Sequence, residues 1–323
     1  MKAIRFERTG GPEVLQLQDV NLEEPGTGEV QLRHTAIGLN FVDTYYRSGL
    51  YPSPLPSGLG NEAAGVVTKL GKGVKALKVG DRVAYGTGAL GAYQEARNFP
   101  ANRLVKLPKA ISDEVAAGMM LKGMTTRYLL RATYKVKKGQ TVLFHAAAGG
   151  VGLIFGQWAK ALGVKAIGTV GSDEKVAIAR KHGYAHVINS STEDVVARVK
   201  EITKGKGVPV VYDGVGQATF NVSLDCLSPL GLLVSFGNAS GAVSAFNLGI
   251  LAGKGSLYVT RPTLGTYVAS DADFQATARD LVNVVKSGKV KIQINQRYKL
   301  ADAAKAHEDL AARRTTGATV LIP

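Results

Sequence analysis

Cysteine is nearly absent from this sequence. Cys226 is the only one among 323 residues, which excludes an internal disulfide and fits a reducing cytoplasm. No apolar run approaches the roughly 20 residues that a membrane span needs, and the N-terminal segment lacks the apolar core of a secretory signal. We therefore expect a cytoplasmic protein with no membrane anchor, in which Cys226 serves only packing.

Acidic side chains are outnumbered by basic ones. The 25 Asp and Glu residues face 40 Lys and Arg residues, and the net charge is +15. A basic balance favours anionic partners, either nucleic acid or a polyphosphate cofactor. The cations are spread along the chain, however, and the densest cluster, KVKK at 135–138, is short. Solubility alone would also account for the charge.

The chain changes character twice along its length. Residues 1–105 read as short strands punctuated by glycine, which is typical of a small β-rich domain. Six apolar strands then alternate with helical segments, the pattern of a parallel, doubly wound sheet. Two amphipathic helices and an apolar strand end the chain, and we expect this tail to return to the first domain. We thus predict an α/β protein with a β-rich domain at 1–124 and 262–323 and a Rossmann domain with a six-stranded parallel sheet at 125–261.

A glycine-rich turn joins the first strand of this predicted sheet to its helix. The segment HAAAGGVG, residues 145–152, follows a strand and opens a helix, which is the context that a dinucleotide site requires. Ala147 replaces the first glycine of the usual G-x-G-x-x-G pattern. Backbone N–H groups at the positive helix end would bind a pyrophosphate, and the last glycine permits close helix–strand packing. The residues expected in these roles are Gly149, Gly150, Val151 and Gly152.

The segment after the second strand, GTVGSDEK, favours NADPH over NADH. An NAD site usually carries an acid there that binds the ribose 2′-hydroxyl, but positions 168–172 have none. Ser172 and Lys175 offer a hydroxyl and an ammonium group to a 2′-phosphate. Asp173 and Glu174 could repel a phosphate, but acids at this point also suit the beginning of the next helix. We expect NADPH as the cofactor.

Several segments make the chain similar to a known family. They are GLNFVDTYYRSGLYP (38–52), LKGMTTRYLL (121–130), VLFHAAAGGVG (142–152), LVSFGNASGAV (233–243) and GSLYVTRPTL (255–264). Through them the chain resembles, essentially end to end, the quinone oxidoreductases related to zeta-crystallin, a branch of the medium-chain dehydrogenases/reductases. The resemblance implies that the β-rich part is a GroES-like catalytic domain and that the Rossmann domain binds NADPH.

The resemblance also indicates a branch without zinc. The positions that match the catalytic zinc ligands of related alcohol dehydrogenases are Asn40, Asn61 and Lys122, and none is a normal zinc ligand. The lobe of closely spaced cysteines that holds structural zinc is absent, and the five histidines show no ligand spacing. We therefore expect no metal. Glu62, the acid that the superfamily pattern keeps after the zinc-binding histidine, is expected to hold its loop by hydrogen bonds rather than to perform chemistry.

Hydride transfer without a metal suits an electron-poor acceptor. A quinone or an activated carbonyl compound delocalises the product anion, so positioning, a dry cleft and hydrogen bonds to the developing oxyanion suffice. The resemblance thus implies an NADPH-dependent quinone reductase. Three alternatives stay open: C=C reduction in an enone, aldehyde or acyl thioester, binding of AU-rich RNA as zeta-crystallin relatives show, and cofactor binding without turnover.

The resemblance assigns site residues to both domains. Asn40, Tyr45 and Tyr51 are expected to be catalytic and to lie near the nicotinamide. Asn40 would bond the cofactor ribose or the acceptor, while the tyrosines would stack on a quinone and donate a proton or hydrogen bond. Further cofactor contacts are expected at Thr126, Ser190, Phe236, Asn238, Ser240 and either Arg313 or Arg314. The alternatives are loop packing for the tyrosines, a helical Thr bonded to a carbonyl, a turn around SFGNASG and a solvated helix end.

Two expectations concern other parts of the predicted Rossmann domain. His145, at the end of a buried strand, is interpreted as a satisfied core histidine. The segment GSLYVTRP supplies the last strand of the sheet, and in the superfamily that this chain resembles that edge commonly pairs with its twin. Because an unprotected apolar edge needs cover, we expect a homodimer.

Overall fold

Short strands separated by glycine turns build the first part of the chain. The computed structural model describes residues 1–323. The strands of this part are β1 (Lys2–Phe6), β2 (Gln16–Asp19), β3 (Glu29–Leu39), β4 (Ser57–Gly58), β5 (Glu62–Leu70), β6 (Arg82–Tyr85), β7 (Ala96–Pro100) and β8 (Val105–Lys106). Its helices are α1 (Phe41–Ser48) and α2 (Asp113–Tyr128), with 3-10 turns at Pro12–Val14 and Ala101–Arg103 and a π-helical turn, Leu129–Thr133, after α2.

The middle of the chain alternates between strand and helix. Its strands are β9 (Thr141–Phe144), β10 (Lys165–Val170), β11 (His186–Asn189), β12 (Val208–Asp213), β13 (Leu227–Ser235) and β14 (Tyr258–Thr260). Its helices are α3 (Gly150–Ala161), α4 (Asp173–Lys181), α5 (Val195–Ile202), α6 (Phe220–Asp225), α7 (Gly249–Gly253) and α8 (Leu264–Tyr267). All pairings are parallel and the order is β11-β10-β9-β12-β13-β14. The predicted doubly wound six-stranded sheet is confirmed.

The end of the chain adds α9 (Asp271–Lys286), β15 (Ile294–Lys299), a 3-10 turn (Leu300–Asp302), α10 (Ala303–Ala311) and β16 (Ala318–Ile322). Strand β16 pairs antiparallel with β3, placing Val320 opposite Gly38. The result is a seven-stranded sheet in which the order is β15-β16-β3-β5-β6-β8 and β7 also pairs with β3. A separate three-stranded sheet has the order β2-β1-β4.

The chain divides into two units. The first contains Met1–Met124, Val268–Lys286 and Ile292–Pro323, and the second contains Thr125–Tyr267 and Ser287–Lys291. The sequence placed residues 262–267 and 287–291 in the first domain, whereas here they cluster with the second unit. Tyr267 stacks on Tyr128 with ring centroids 4.6 Å apart, and the Lys291 N–H donates to the Gln157 side chain at 2.9 Å. These contacts explain the difference.

Each unit has its own apolar core. Every strand from β9 to β13 contributes to one buried cluster, through Leu143, Ile167, Ile188, Val211 and Leu233. One face of α3 is buried as well, including Ile154, Phe155 and Trp158, since helices cover a parallel sheet. In the first unit, β3 alternates buried and less buried residues and contributes Val30, Leu32 and Ile37 to the core. None of the helices combines the length and apolar character that crossing a bilayer requires.

Two fully buried histidines of the first unit make its stability depend on pH. Burial lowers the pKa of His34 to about 4 and that of His307 to about 3. Below about pH 6.5 the unfolded chain binds protons that the native histidines do not, so stability falls as the pH drops. Burial raises the pKa of Asp43 to about 6, and this group acts in the opposite direction over the same range.

We predict that unfolding in urea will require less free energy at about pH 5.5 than at about pH 7.5. Each histidine contributes a loss of roughly 1–2 kcal/mol and Asp43 offsets about 1, which leaves a net loss of roughly 2 kcal/mol. The measurement is urea denaturation followed by circular dichroism. His307→Gln should unfold more easily at neutral pH yet show a shallower pH dependence. Equal unfolding free energies at the two pH values would contradict the prediction.

Candidate active site

Asn40 is held by two buried carboxylates of the first unit. It precedes α1 and forms a capping box with Asp43, whose carboxylate accepts the Asn40 backbone N–H at 2.8 Å. The Asn40 side-chain nitrogen donates to Glu62 Oε2 at 2.8 Å. Glu62 is fully buried and also accepts the Leu121 N–H at 2.8 Å and the Lys122 ammonium at 3.1 Å. One carboxylate thus joins the start of α1, strand β5 and helix α2.

Asp43 is the second buried carboxylate and anchors a chain of hydrogen bonds. It accepts the Tyr93 hydroxyl at 3.0 Å and the Asn61 amide at 3.1 Å. His307 Nε2 lies 3.1 Å from the Tyr93 hydroxyl, and Arg47 donates to His307 Nδ1 at 3.2 Å. Burial raises the pKa of Asp43 to about 6, although bonds from Asn40, Asn61 and Tyr93 lower it. This series of hydrogen bonds connects α1 with α10, which comes from the other end of the sequence.

The donors at this place do not fit a zinc site. Asn40 and Lys122 direct N–H groups at Glu62, and Asn61 directs its amide at Asp43. An amide nitrogen and an ammonium group have no lone pair to give to a metal. No group of three or more His, Cys, Asp or Glu side chains lies close enough to hold a metal ion. The side chains at the three positions that match zinc ligands all donate hydrogen bonds to carboxylates.

Tyr45 and Tyr51 belong to an aromatic cluster on α1 and the loop that follows it. Their rings meet edge to face with centroids 5.2 Å apart, and Tyr46 approaches Tyr51 at 5.6 Å. Phe41 contacts Tyr45 at 6.0 Å. Tyr45 is buried and Tyr51 is half-buried. The structure therefore brings all three predicted catalytic residues to α1 and the loop that follows it.

The glycine turn of the second unit has the geometry of an anion site. Strand β9 ends at Phe144 and α3 begins at Gly150, with Gly149 as an N-cap whose backbone is extended. No side chain caps this helix, so its first N–H groups face outward. A Cβ on Gly152 would lie 2.5 Å from the Ala147 carbonyl oxygen. Gly152 is thus required for the packing of α3 on the turn, and the turn fits the pyrophosphate of a dinucleotide.

Two residues at the beginning of this turn have unusual features. Ala146 adopts a left-handed backbone, with φ at 59°, which costs a non-glycine residue about 1–2 kcal/mol. His145 was expected to be a satisfied core residue, but only one ring nitrogen is bonded, Nδ1 to the Thr169 hydroxyl at 2.9 Å. Its Nε2 is buried with no hydrogen-bond partner, so the expectation holds for only half of the ring. Burial lowers the pKa of His145.

The segment between β10 and α4 suits a 2′-phosphate. Ser172 is the N-cap of α4, and its hydroxyl makes no bond to the helix. Lys175 follows on the first turn of that helix. Asp173 accepts the Asn189 amide at 2.8 Å, so this carboxylate is engaged with the end of β11.

The remaining predicted cofactor contacts of the second unit divide into two groups. Phe236 and Asn238 follow β13 at the carboxyl end of the sheet, and Thr126 is fully buried in α2. The hydroxyl of Ser240, by contrast, donates to the Val215 carbonyl at 2.9 Å and accepts the Ala218 N–H at 3.0 Å. Ser190 donates to the Val170 carbonyl at 3.0 Å. Both bonds of Ser240 join the turn around SFGNASG to residues 215–218, and the cofactor contacts of Ser190 and Ser240 stay predictions.

The arginine pair near the C-terminus lies in the first unit. Arg313 is exposed at the end of α10 with a left-handed backbone, φ 60°. Arg314 forms an ion pair with Asp309 at 2.6 Å. The interpretation as a solvated helix end therefore describes Arg314.

Two buried acids, Asp43 and Asp213, are not among the residues that the sequence predicted for the site. Asp43 was not recognised, although its capping box with Asn40, three residues earlier, is a local signal; its other partners, Asn61 and Tyr93, lie far away in the sequence. Asp213 ends β12 and accepts the N–H groups of Val215 and Gly216 at 2.8 and 3.0 Å and the Ser223 hydroxyl at 2.7 Å. An acid before a G-x-G turn is a usable signal for such a loop. Asp213 shapes the turn at the carboxyl end of the sheet.

A cavity of about 320 Å³ lies where β10 begins and α3 and α4 end. Its lining includes Lys160, Lys165 and Arg180. None of the predicted site residues contributes to it. It is therefore distinct from the glycine turn, which lies at the opposite, carboxyl end of the strands.

Two family models match the chain. The alcohol dehydrogenase GroES-like domain matches residues 26–109, and the zinc-binding dehydrogenase model matches residues 150–283. The second description mentions zinc, but the donors around Glu62 and Asp43 do not fit that metal.

Known proteins are similar over the whole length. Quinone oxidoreductase from Pseudomonas aeruginosa is 60% identical, covering 100% of this chain and 99% of that protein. The crystal structure of Escherichia coli quinone oxidoreductase complexed with NADPH has a TM-score of 0.98 at 54% identity and covers 100% of both chains. A 2-haloacrylate reductase from Burkholderia sp. is 45% identical, covering 98% of each protein.

We predict that Gly152→Ala will weaken dinucleotide binding. The new methyl group would overlap with two backbone carbonyls, of Ala146 and Ala147 at 2.6 and 2.5 Å, and would push α3 away from the turn. The expected cost is about 1–3 kcal/mol in unfolding free energy and a rise of about tenfold or more in the Kd for NADPH. Gly253→Ala is the control, because a Cβ at this helical glycine meets nothing within 4 Å. Equal behaviour of the two variants in thermal unfolding and NADPH titration would refute this role of Gly152.

Proposed function

The chain belongs to the quinone oxidoreductase family of the medium-chain dehydrogenases/reductases, and we propose that it reduces quinones with NADPH and without a metal ion. One observation supports this proposal above the others. Asn40, Asn61 and Lys122, which match zinc ligands of related enzymes, all donate hydrogen bonds to buried carboxylates. A site with no place for a Lewis acid suits an acceptor that needs none.

The second unit offers the groups that would hold NADPH. When bound, the cofactor supplies a hydride from C4 of its nicotinamide. The outward N–H groups of Gly150, Val151 and Gly152 would bind the pyrophosphate at the helix end. The uncapped Ser172 hydroxyl and the Lys175 ammonium would bind the 2′-phosphate, and the engagement of Asp173 with Asn189 removes the carboxylate most able to oppose it.

The first unit offers the groups that would act on the acceptor. Tyr45 and Tyr51 supply two neighbouring aromatic rings and two hydroxyls on and just after α1, the helix that begins after Asn40. Aromatic rings pack against the flat face of a quinone. A phenolic hydroxyl can donate a hydrogen bond to the oxygen on which negative charge develops, and it can pass on a proton.

C=C reduction is the second candidate. It is supported by the 45% identity to a 2-haloacrylate reductase over 98% of both chains. The acceptor in both reactions is a conjugated carbonyl compound, so the same donors would serve either substrate. Turnover measured with acceptors of both classes would decide between them.

We also propose that the protein is a cytoplasmic homodimer. Strand β14 is the edge of the parallel sheet, and Tyr258 on it is 61% exposed. Leu230 and Leu248 of the same unit are also exposed. A second copy of β14 would cover this edge. The single cysteine, Cys226, supports the proposed location, since a chain without an internal disulfide is typical of a reducing compartment.

An assay with several acceptors tests the reaction. We expect NADPH oxidation with 1,4-benzoquinone and a naphthoquinone, and slower turnover with an enone, a crotonyl thioester and a 2-haloacrylate. The kcat/KM for NADPH should exceed that for NADH by about 100-fold or more, because two charge-assisted bonds would hold the 2′-phosphate. Ser172→Ala should reduce this preference by about tenfold. Equal use of NADH would refute the phosphate site, and faster turnover of an alkene than of both quinones would favour the second candidate.

Light scattering tests the oligomeric state. At micromolar concentration we expect twice the chain mass of 34.0 kDa. Tyr258→Lys should shift the protein towards the monomer, because it places a charge on the exposed strand edge. Val79→Lys is the matched control, since Val79 is 59% exposed on the first unit. A wild-type monomer, or dissociation by both substitutions alike, would refute an interface at β14.

A further inference from the structure

Most of the positive charge of the chain lies in the second unit. That unit contains 18 Lys and Arg residues against 7 Asp and Glu residues, a net charge of +11, whereas the first unit contains 22 against 18, a net charge of +4. Lys175 is the one cation of the second unit that we propose for NADPH. The rest of this surplus has no part in the proposed reaction.

Exposed cations gather at the amino-terminal edge of the parallel sheet, opposite the glycine turn. Each of the four neighbouring strands β11, β10, β9 and β12 begins with such a cation or follows one within a few residues. We call this group the basic rim; its members are Lys138, Lys160, Lys165, Arg180, Lys204 and Lys206. Because neighbouring strands lie about 4.8 Å apart, four strands spread the basic rim over roughly 14 Å.

Four members of the basic rim surround the cavity of about 320 Å³ at this edge. Lys160, Lys165 and Arg180 line it together with Gly163, and no acidic side chain does. The Lys138 side chain packs at the same place, since a Cβ on Gly163 would lie 2.8 Å from Lys138 Cγ. An anion in this cavity would therefore be close to cations from several neighbouring segments of the chain.

The charges of the basic rim are not balanced within the protein. None of its six side chains forms an ion pair, whereas Arg198 elsewhere in the same unit pairs with Glu193 at 3.0 Å. The helix dipole explains Lys160 and Arg180, which lie in the last turns of α3 and α4. The other four cations lie outside helices, so the dipole gives no reason for them. Like charges this close repel one another, and a bound multivalent anion would remove that repulsion.

The side chains at this edge favour a phosphate chain without bases. Proteins that bind single-stranded nucleic acid stack the bases on accessible aromatic rings. At this edge Tyr184 is buried, and Tyr134 is half-buried with its hydroxyl accepting the Gln140 amide at 3.1 Å. We propose that the basic rim is a second binding site of this protein and that it binds linear inorganic polyphosphate. The proposal does not depend on the reaction, because the basic rim and the glycine turn lie at opposite ends of the strands.

Calorimetric titration of the full chain with long-chain sodium polyphosphate tests the proposal. Binding should be saturable at about 50 mM NaCl and weaker by about tenfold or more at about 200 mM, because each cation that neutralises a phosphate releases a counterion. The double variant Lys165→Gln with Arg180→Gln should bind about tenfold more weakly at low salt and depend less steeply on salt. Lys165→Arg with Arg180→Lys keeps both charges and should bind within about threefold of the wild type.

Controls separate the basic rim from the net charge of the protein. Lys75→Gln with Lys109→Gln is the matched control, because both lysines are exposed on the first unit and their loss removes the same charge. This variant should bind polyphosphate as the wild type does. Saturating NADP⁺ should not displace polyphosphate, since the cofactor turn lies at the other end of the sheet. Circular dichroism checks the folding of each variant.

Several results would overturn the proposal. They are an absence of binding at low salt, an equal loss of affinity in the rim variant and its matched control, and displacement of polyphosphate by NADP⁺. A single-stranded oligonucleotide with as many phosphates is the competing partner, and we expect it to bind about tenfold more weakly because no accessible ring stacks on its bases. Equal or tighter binding of the oligonucleotide would make nucleic acid the partner instead. A protein that binds polyphosphate but reduces no quinone would overturn only the proposed reaction.

Discussion

The fully buried carboxylate of Glu62 sets the structure around the candidate site. An uncompensated carboxylate in such a position costs several kcal/mol, so its neighbours have to supply charge and hydrogen bonds. Lys122 supplies the charge, while Asn40 and the Leu121 N–H supply the bonds. Because these groups come from α2 and the start of α1, satisfying one carboxylate ties both helices to β5. The same bonds leave Asn40 with a single defined orientation.

The ion pair and hydrogen bonds that stabilise the Glu62 carboxylate bear on which reactions this place could catalyse. A metal centre would stabilise a developing oxyanion as a Lewis acid. Here the side chains at the positions of the zinc ligands donate hydrogen bonds to carboxylates instead. In the proposed reaction, stabilisation would come from groups outside this network, and Tyr45 and Tyr51 are the residues that we propose for it. A phenol is a weaker electrophile than a metal ion. Under the proposed function, the substrate would therefore stabilise part of the negative charge itself by delocalising it, as a quinone does.

Features of the fold could be predicted from the sequence where the signal lies within a few neighbouring residues. The alternation of strand and helix predicts the parallel sheet, and the glycine turn marks the end of β9, because period and turn chemistry act over a few residues. Contacts between residues that lie far apart in the sequence could not be predicted in this way. Arg47 and His307 are 260 positions apart in the chain yet share a hydrogen bond, and no local pattern pairs them. Ser240 illustrates a different difficulty, since a turn serine and a ligand-binding serine look alike in sequence.

The bond between Arg47 and His307 also gives the chain of hydrogen bonds a direction. Arginine has only donors, so His307 Nδ1 accepts and Nε2 carries the proton. That proton points to the Tyr93 oxygen, which leaves the Tyr93 hydroxyl free to donate to Asp43. The histidine remains neutral because burial and the neighbouring arginine hold its pKa at about 3. Helix α10, from the C-terminal tail, thus carries a neutral histidine that orients the Tyr93 hydroxyl, and this hydroxyl donates to Asp43, the carboxylate of the capping box of α1. The return of the tail to the first unit is part of what positions Asn40.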